Sequence, residues 1–273
     1  MASVWHMRET RQDQATGLRR LFARHGVATL SVAGSGGPGV TAVTLNLAAA
    51  LARMGKSVLV IDRTKGEAAQ TLGLPGRYEL AHVLDGDRPI EQVLLQGPEG
   101  VAVLPASRGL ERIAEGGRWR ESLVTQLGDS REAFDVWLIN GLAPMQDPDA
   151  WDGDVLLVIA PTADAITSAY AQIKTLAREQ GQREFRIVVN RARSESAALS
   201  TFTSVAETAR RFLSARLDYI GYLPVEDNAG AAPRRNARPA LADTRSARGH
   251  AFARLAEALT SALPSRLAVD HGR

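Results

Sequence analysis

The chain contains no cysteine. That excludes disulfide bridges, thiolate metal sites and cysteine nucleophiles, and it is compatible with a reducing cytoplasm. Lysine is scarce as well: of 33 basic residues only Lys56, Lys65 and Lys174 are lysines. The arginine bias by itself points to no partner. No apolar run approaches the roughly 20 residues of a membrane span. The opening residues, MASVWHMRETRQDQ, lack the apolar centre of a secretory signal, so a cytosolic protein is expected. The five histidines, His6, His25, His82, His250 and His271, show no ligand spacing, and no metal centre is expected.

What is present suffices for a substantial core, since 273 residues can bury one sizeable α/β domain. Apolar runs of strand length alternate with helical patterns in the order that builds a mostly parallel, doubly wound sheet flanked by helices. Strands are expected at Val27–Ala33, Ser57–Asp62, Val101–Leu104, Asp135–Asn140, Asp154–Ala160, Phe185–Asn190 and Leu217–Leu223. Helices are expected at Thr41–Met54, Leu80–Leu84, Ile90–Leu95, Trp119–Leu127, Asp164–Arg178, Leu199–Leu213 and Ala251–Leu263, the last stopped by Pro264. Before them Leu18, Leu21 and Phe22 recur at helical spacing, with Asp13 as a cap and Gly26 as a stop. The expected organisation is a leader and amphipathic helix over 1–26, an α/β domain over 27–263 and a tail over 264–273.

The stretch from Ala33 to Thr44, AGSGGPGVTAVT, is a phosphate loop without its charge. Against G-x-x-x-x-G-K-[ST], Gly34 and Gly39 stand at the fixed glycines and Thr41 at the hydroxyl, but the lysine is Val40. Inward N–H groups and a helix N-terminus still favour an anion. Losing one ionic hydrogen bond lowers nucleotide affinity by about tenfold to a hundredfold. The bland alternative is a glycine-rich turn that never meets phosphate. Ligands in such sheets sit past the carboxyl ends of the strands, which singles out Asp62-Arg63-Thr64 and Asn140-Gly141. A working ATPase has an aspartate at Asn140, because Mg²⁺ wants anionic oxygen.

The order DQATGLRRLF, AGSGGPGVT, SVLVIDRTKG, DVWLING, VLLVIAPTADAITSAYAQIK, FRIVVNRA, DYIGYLP resembles the FlhG-type flagellar-number regulators of the MinD/ParA group of deviant-Walker ATPases, from about Asp13 to Leu259. The DQAxxLR element is specific to the FlhG type. Members carry the loop GKGGVGKT, in which an early lysine reaches across an ATP dimer and a later one holds the phosphates. Those positions here are Ser35 and Val40, and the valine is Pro38. The DAD element becomes Asp62-Arg63-Thr64, so the aspartate tied to water activation is Thr64. The DTAAG element becomes Asn140-Gly141-Leu142-Ala143-Pro144, with a following switch segment shorter by about one turn of 3.6 residues.

Four changes aimed at one reaction imply an ATPase that is lost or very weak, with no intact catalytic set. No cofactor is required under this resemblance. ATP or ADP with magnesium binds weakly at most, through Gly34, Gly36, Gly37, Gly39, Thr41, Asp62 and Asn190. Asn190 matches an asparagine that reads adenine in relatives, and equally suits a turn at a strand end. Asp13, Gln14, Ala15, Leu18 and Arg19 match DQAxxLR, which in FlhG is implied to dock on the signal-recognition-type GTPase FlhF and stimulate GTP hydrolysis. A glutamine can orient the attacking water and an arginine can stabilise phosphate charge. The alternative is a helix packed on its own domain.

The resemblance implies a cytoplasmic regulator of flagellar number or placement, at the cell pole or peripheral to the inner membrane, with no specific nucleic acid partner. Two alternatives stay open. One is a slow ATPase whose cation comes from Arg63 or Lys65. The other is a polar scaffold or a partner of a flagellar transcription regulator or switch-complex protein. Phe252, Leu255, Leu259 and Leu263 share one face of the last helix, and a docked helix with weak or no membrane contact is expected, since Arg254 is the one cation opposite. Eight arginines against three acids from Gly230 onward are read as a solvated surface. The run Asp147, Asp149, Asp152, Asp154 lacks a calcium loop's glycine and glutamate, and is read as a solvated loop.

Overall fold

A computed structural model describes residues 27–34, 39–114, 119–128, 134–142, 154–179, 181–225 and 241–262. Its strands are β1 (Ala28–Gly34), β2 (Val58–Asp62), β3 (Leu95–Gln96), β4 (Ala102–Pro105), β5 (Val136–Asn140), β6 (Asp154–Ile159), β7 (Glu184–Ala192) and β8 (Arg216–Pro224). They form one sheet in the order β3-β4-β2-β5-β1-β6-β7-β8. Every pairing is parallel except that of β3 with β4. The helices of nine residues or more are α1 (Val40–Arg53), α5 (Trp119–Leu127), α6 (Ala163–Glu179), α7 (Glu195–Leu213) and α8 (Ala247–Ala262); α2 (Glu67–Leu72), α3 (Leu80–Leu84) and α4 (Ser107–Ala114) are shorter.

Strand parity explains the two-sided core. Leu30, Val32, Val58, Val60, Val136 and Leu138 join a cluster with α1 and with Phe252, Leu255 and Leu259 of α8. The intervening Leu59, Ile61, Trp137 and Ile139 point the other way, onto Leu110 of α4 and Leu123 and Leu127 of α5. A third cluster joins β6 and β7 to α6 and α7 through Phe185, Ile173 and Val205. Burial on both faces is why runs such as VLLVI show no polar alternation. This is the doubly wound α/β sheet the sequence predicts.

The differences are local. Helix α2 is not anticipated, because EAAQTL carries one large apolar residue, Leu72, whereas α3 repeats Leu80, Val83 and Leu84 at helical spacing; left-handed glycines bound it, Gly66 at φ 85° and Gly73 at φ 66°. Helix α4 is missed for another reason. Gly109 is a poor helix former in isolation, yet a Cβ there would stand 2.6 Å from the Ala81 nitrogen and 2.6 Å from Leu80 Cβ, so the glycine admits α3 to close contact. Ile90–Gln92, expected to open a helix, is a single 3₁₀ turn. Helix α7 starts at Glu195, behind the cap Ser194, and α8 at Ala247, each four residues earlier than expected. The earlier start brings Arg248 into α8, where it acts on the site. The apolar stripe of α8 is buried, with Phe252 0 % exposed and Leu255 and Leu259 each 2 %. Among the described residues no helix is long and apolar enough to cross a membrane. The expected N-terminal helix, Leu263 and Asp147, Asp149 and Asp152 lie outside the described residues.

Candidate nucleotide site

The strand–loop–helix order of the phosphate loop is present, with β1 ending at Gly34 and α1 starting after Gly39. A Cβ on Gly34 would meet Val40 Cγ2 at 2.7 Å and the Val158 carbonyl oxygen at 2.9 Å, so glycine is required sterically. Gly39, at φ 152°, caps α1 with no side-chain bond. Val40 packs against the core cluster beneath α1. The residue in the lysine's place is thus apolar filler. Ser35, Gly36, Gly37 and Pro38 lie outside the described residues, as do Asp13, Gln14, Ala15, Leu18 and Arg19.

Beside the loop, the carboxyl ends of β2 and β5 bring Asp62 and Asn140 into register. Both side chains are buried, at 0 % exposure. Asp62 Oδ1 accepts from the Thr64 amide (3.1 Å), the Thr64 hydroxyl (2.6 Å) and Asn140 Nδ2 (3.0 Å), while Oδ2 accepts from the Ala68 amide (3.1 Å). A carboxylate so supplied with donors anchors the start of α2. Asn140 Nδ2 also donates to Thr41 Oγ1 (3.2 Å), and its Oδ1 accepts from the Thr44 hydroxyl (3.4 Å). Thr41 Oγ1 in turn donates to Glu67 Oε2 at 2.9 Å. The structure places Thr41, Asp62, Thr64 and Asn140 in one hydrogen-bonded group, and adds Glu67 and Thr44, which the motifs do not single out. Glu67 lies five residues after Asp62 in a helix whose one large apolar residue, Leu72, gives no period to read.

The two cations named as lysine substitutes come just after Asp62. Arg63 Nη1 donates to the Leu142 carbonyl, behind β5. Burial pushes its guanidinium below the ordinary value, partly opposed by Glu111. Lys65 lines a cleft of about 360 Å³ with Arg77, Tyr78, His82 and Arg108. Asn190 Oδ1 accepts from Arg248 Nη2 (3.1 Å), whose Nη1 donates to the Pro224 carbonyl (2.8 Å). The amide matched to adenine reading is therefore held by α8. Asp154 opens β6 and accepts from Arg186 at 3.2 Å, so it is a strand-pairing charge.

A parallel sheet carrying a glycine loop between its first strand and helix, with buried polar groups at the neighbouring strand ends, defines a nucleotide-binding class. The chain belongs to the CobQ/CobB/MinD/ParA nucleotide binding domain family, whose pattern residues 29–240 match. Within that family it is similar to the antiactivator FleN of Pseudomonas aeruginosa, a homologue of FlhG, at 31 % identity over 252 residues covering 89 % of this chain and 90 % of that one. The septum site-determining protein MinD of Synechocystis is 31 % identical over 191 residues, 64 % of this chain and 68 % of that one. Among solved structures, the MinD cell division protein of Aquifex aeolicus has a TM-score of 0.61 at 23 % identity, covering 86 % of this chain and 97 % of that one. MinD complexed with Mg-ADP from Pyrococcus horikoshii has a TM-score of 0.60 at 22 % identity, over 89 % and 99 %. The fold and the resemblance to FlhG-type proteins both stand.

Proposed function

We propose that the chain is a FlhG-like regulator of flagellar number or placement that no longer cycles ATP, and that it acts by binding an FlhF-like GTPase through Asp13, Gln14, Ala15, Leu18 and Arg19. Binding stimulates GTP hydrolysis by the partner. The observation that carries the reading is the treatment of the phosphate loop. Val40 is packed into the core side and Asn140 stands buried where a magnesium-ordering carboxylate is needed. A site with neither charge has little with which to hold or polarise a triphosphate. The experiment is steady-state GTP hydrolysis by the cognate GTPase, alone, with the full chain, with Gln14→Ala and with residues 1–25 deleted. Stimulation by the full chain that is lost in both variants supports the reading; no stimulation by the full chain refutes it.

A second reading is favoured by the relative's name, antiactivator. Under it the chain binds and restrains an activator protein, with no part played by the N-terminal element. Deleting residues 1–25 separates the two, because restraint of the activator would survive it.

A further inference from the structure

The hydrogen bonds at the loop close into a ring. The Glu67 amide donates to Thr64 Oγ1 (3.0 Å), and that hydroxyl donates to Asp62 Oδ1 (2.6 Å). Asn140 Nδ2 donates both to Asp62 Oδ1 (3.0 Å) and to Thr41 Oγ1 (3.2 Å). Thr41 Oγ1 donates to Glu67 Oε2 (2.9 Å), returning to the residue at which the ring began. Both hydroxyl protons are thereby committed, and a lone pair of Thr41 that a metal ion would use is taken by Asn140.

The charge in this ring sits where the helix invites it. Helix α1 has no acidic residue in its first turn and no side-chain cap on Gly39. A helix N-terminus favours negative charge within its first turn. Glu67, from the neighbouring α2, brings a carboxylate to the second residue of α1. Its side chain is exposed, so it reaches Thr41 across the surface and is free of core packing.

We infer that Glu67 is the phosphate loop's own anion: its carboxylate takes the place at Thr41 that phosphate and its metal ion would occupy, and repels polyphosphate. The inference rests on the reading that the site no longer cycles ATP, and assigns that state to an added charge as well as to missing ones. Restoring the lysine alone therefore leaves nucleotide binding weak, and the acid must also go.

The test is calorimetric titration of Mg-ATP into the full chain as wild type, Val40→Lys, Glu67→Gln and Val40→Lys/Glu67→Gln, with circular dichroism confirming the fold of each. The double variant is expected to bind at least about tenfold more tightly than Val40→Lys, and Glu67→Gln to bind more tightly than wild type. Equal affinity of Val40→Lys and the double variant, or no binding by a folded double variant, overturns the inference and leaves the proposed function standing. Tight binding and turnover of Mg-ATP by the wild type overturns the proposed function itself. A second readout covers a variant that folds poorly: Mg-ATP raises the melting temperature of Glu67→Gln and not that of wild type, and no such rise counts against the inference.

Discussion

Asp62 matches a family position assigned to nucleotide, and the structure makes it a keystone of the chain's own backbone. Its two oxygens accept four hydrogen bonds from three segments while fully buried. Replacing it by alanine takes the side-chain acceptor from the Ala68 amide and one of the two acceptors from Asn140 Nδ2. Asp62→Ala is therefore expected to cost about 3 kcal/mol or more, read from the urea midpoint, with or without nucleotide. Gly34 makes a complementary steric prediction. Gly34→Ala drives a methyl group against Val40 Cγ2 and the Val158 carbonyl, and is expected to lose roughly 1–3 kcal/mol. Adding Val40→Ala removes one of the two collisions. The double variant should then lose less than the sum of the singles, and strict additivity in denaturation midpoints would contradict the packing described.

Among the elements, α8 carries the largest consequences. It covers the sheet face that α1 also covers, and its Phe252 ring is wholly buried there. Phe252→Ala should cost about 3–5 kcal/mol, as large cavities in a close-packed core do. The turn before α8 adds a pH dependence. The Arg245 amide, and then its guanidinium, hold the Asp243 carboxyl below the ordinary carboxylate range. A depressed carboxylate lends stability that is fully present above its unfolded value, about 3.9, and is lost as pH falls through the lower folded one. Acid unfolding followed by circular dichroism should show that loss in wild type and a flatter profile in Asp243→Asn. The amplitude is small, since both partners face solvent.

For the molecule as a whole, the prediction concerns assembly. The family resemblance implies a dimer in which an early loop lysine reaches across to the nucleotide, and that position is Ser35. The sedimentation coefficient of the chain should therefore be unchanged by Mg-ATP. A shift to a dimer on adding nucleotide would refute the weakness of the site. The scale of the sheet adds a second point. β1 lies near its centre, between β5 and β6, so its carboxyl end at Gly34 stands beside strands from distant parts of the sequence.

The amino-acid sequence determined the order of the main strands and the longer helices, the parallel doubly wound class and the uncharged residues at Val40, Thr64 and Asn140. These are local properties: apolar period, turn chemistry and the identity of a residue within a motif. Tertiary structure alone decided the rest. Helix α2 forms between two left-handed glycines and is anchored by Asp62, and only that placement brings Glu67 to Thr41, 26 positions away. Arg248, part of a basic region read as solvated surface, reaches Asn190 across 58 positions because α8 folds back over the sheet. Neither contact has a period or a spacing in sequence. Both arise where elements that bury apolar faces on one sheet leave their polar ends side by side at its carboxyl edge.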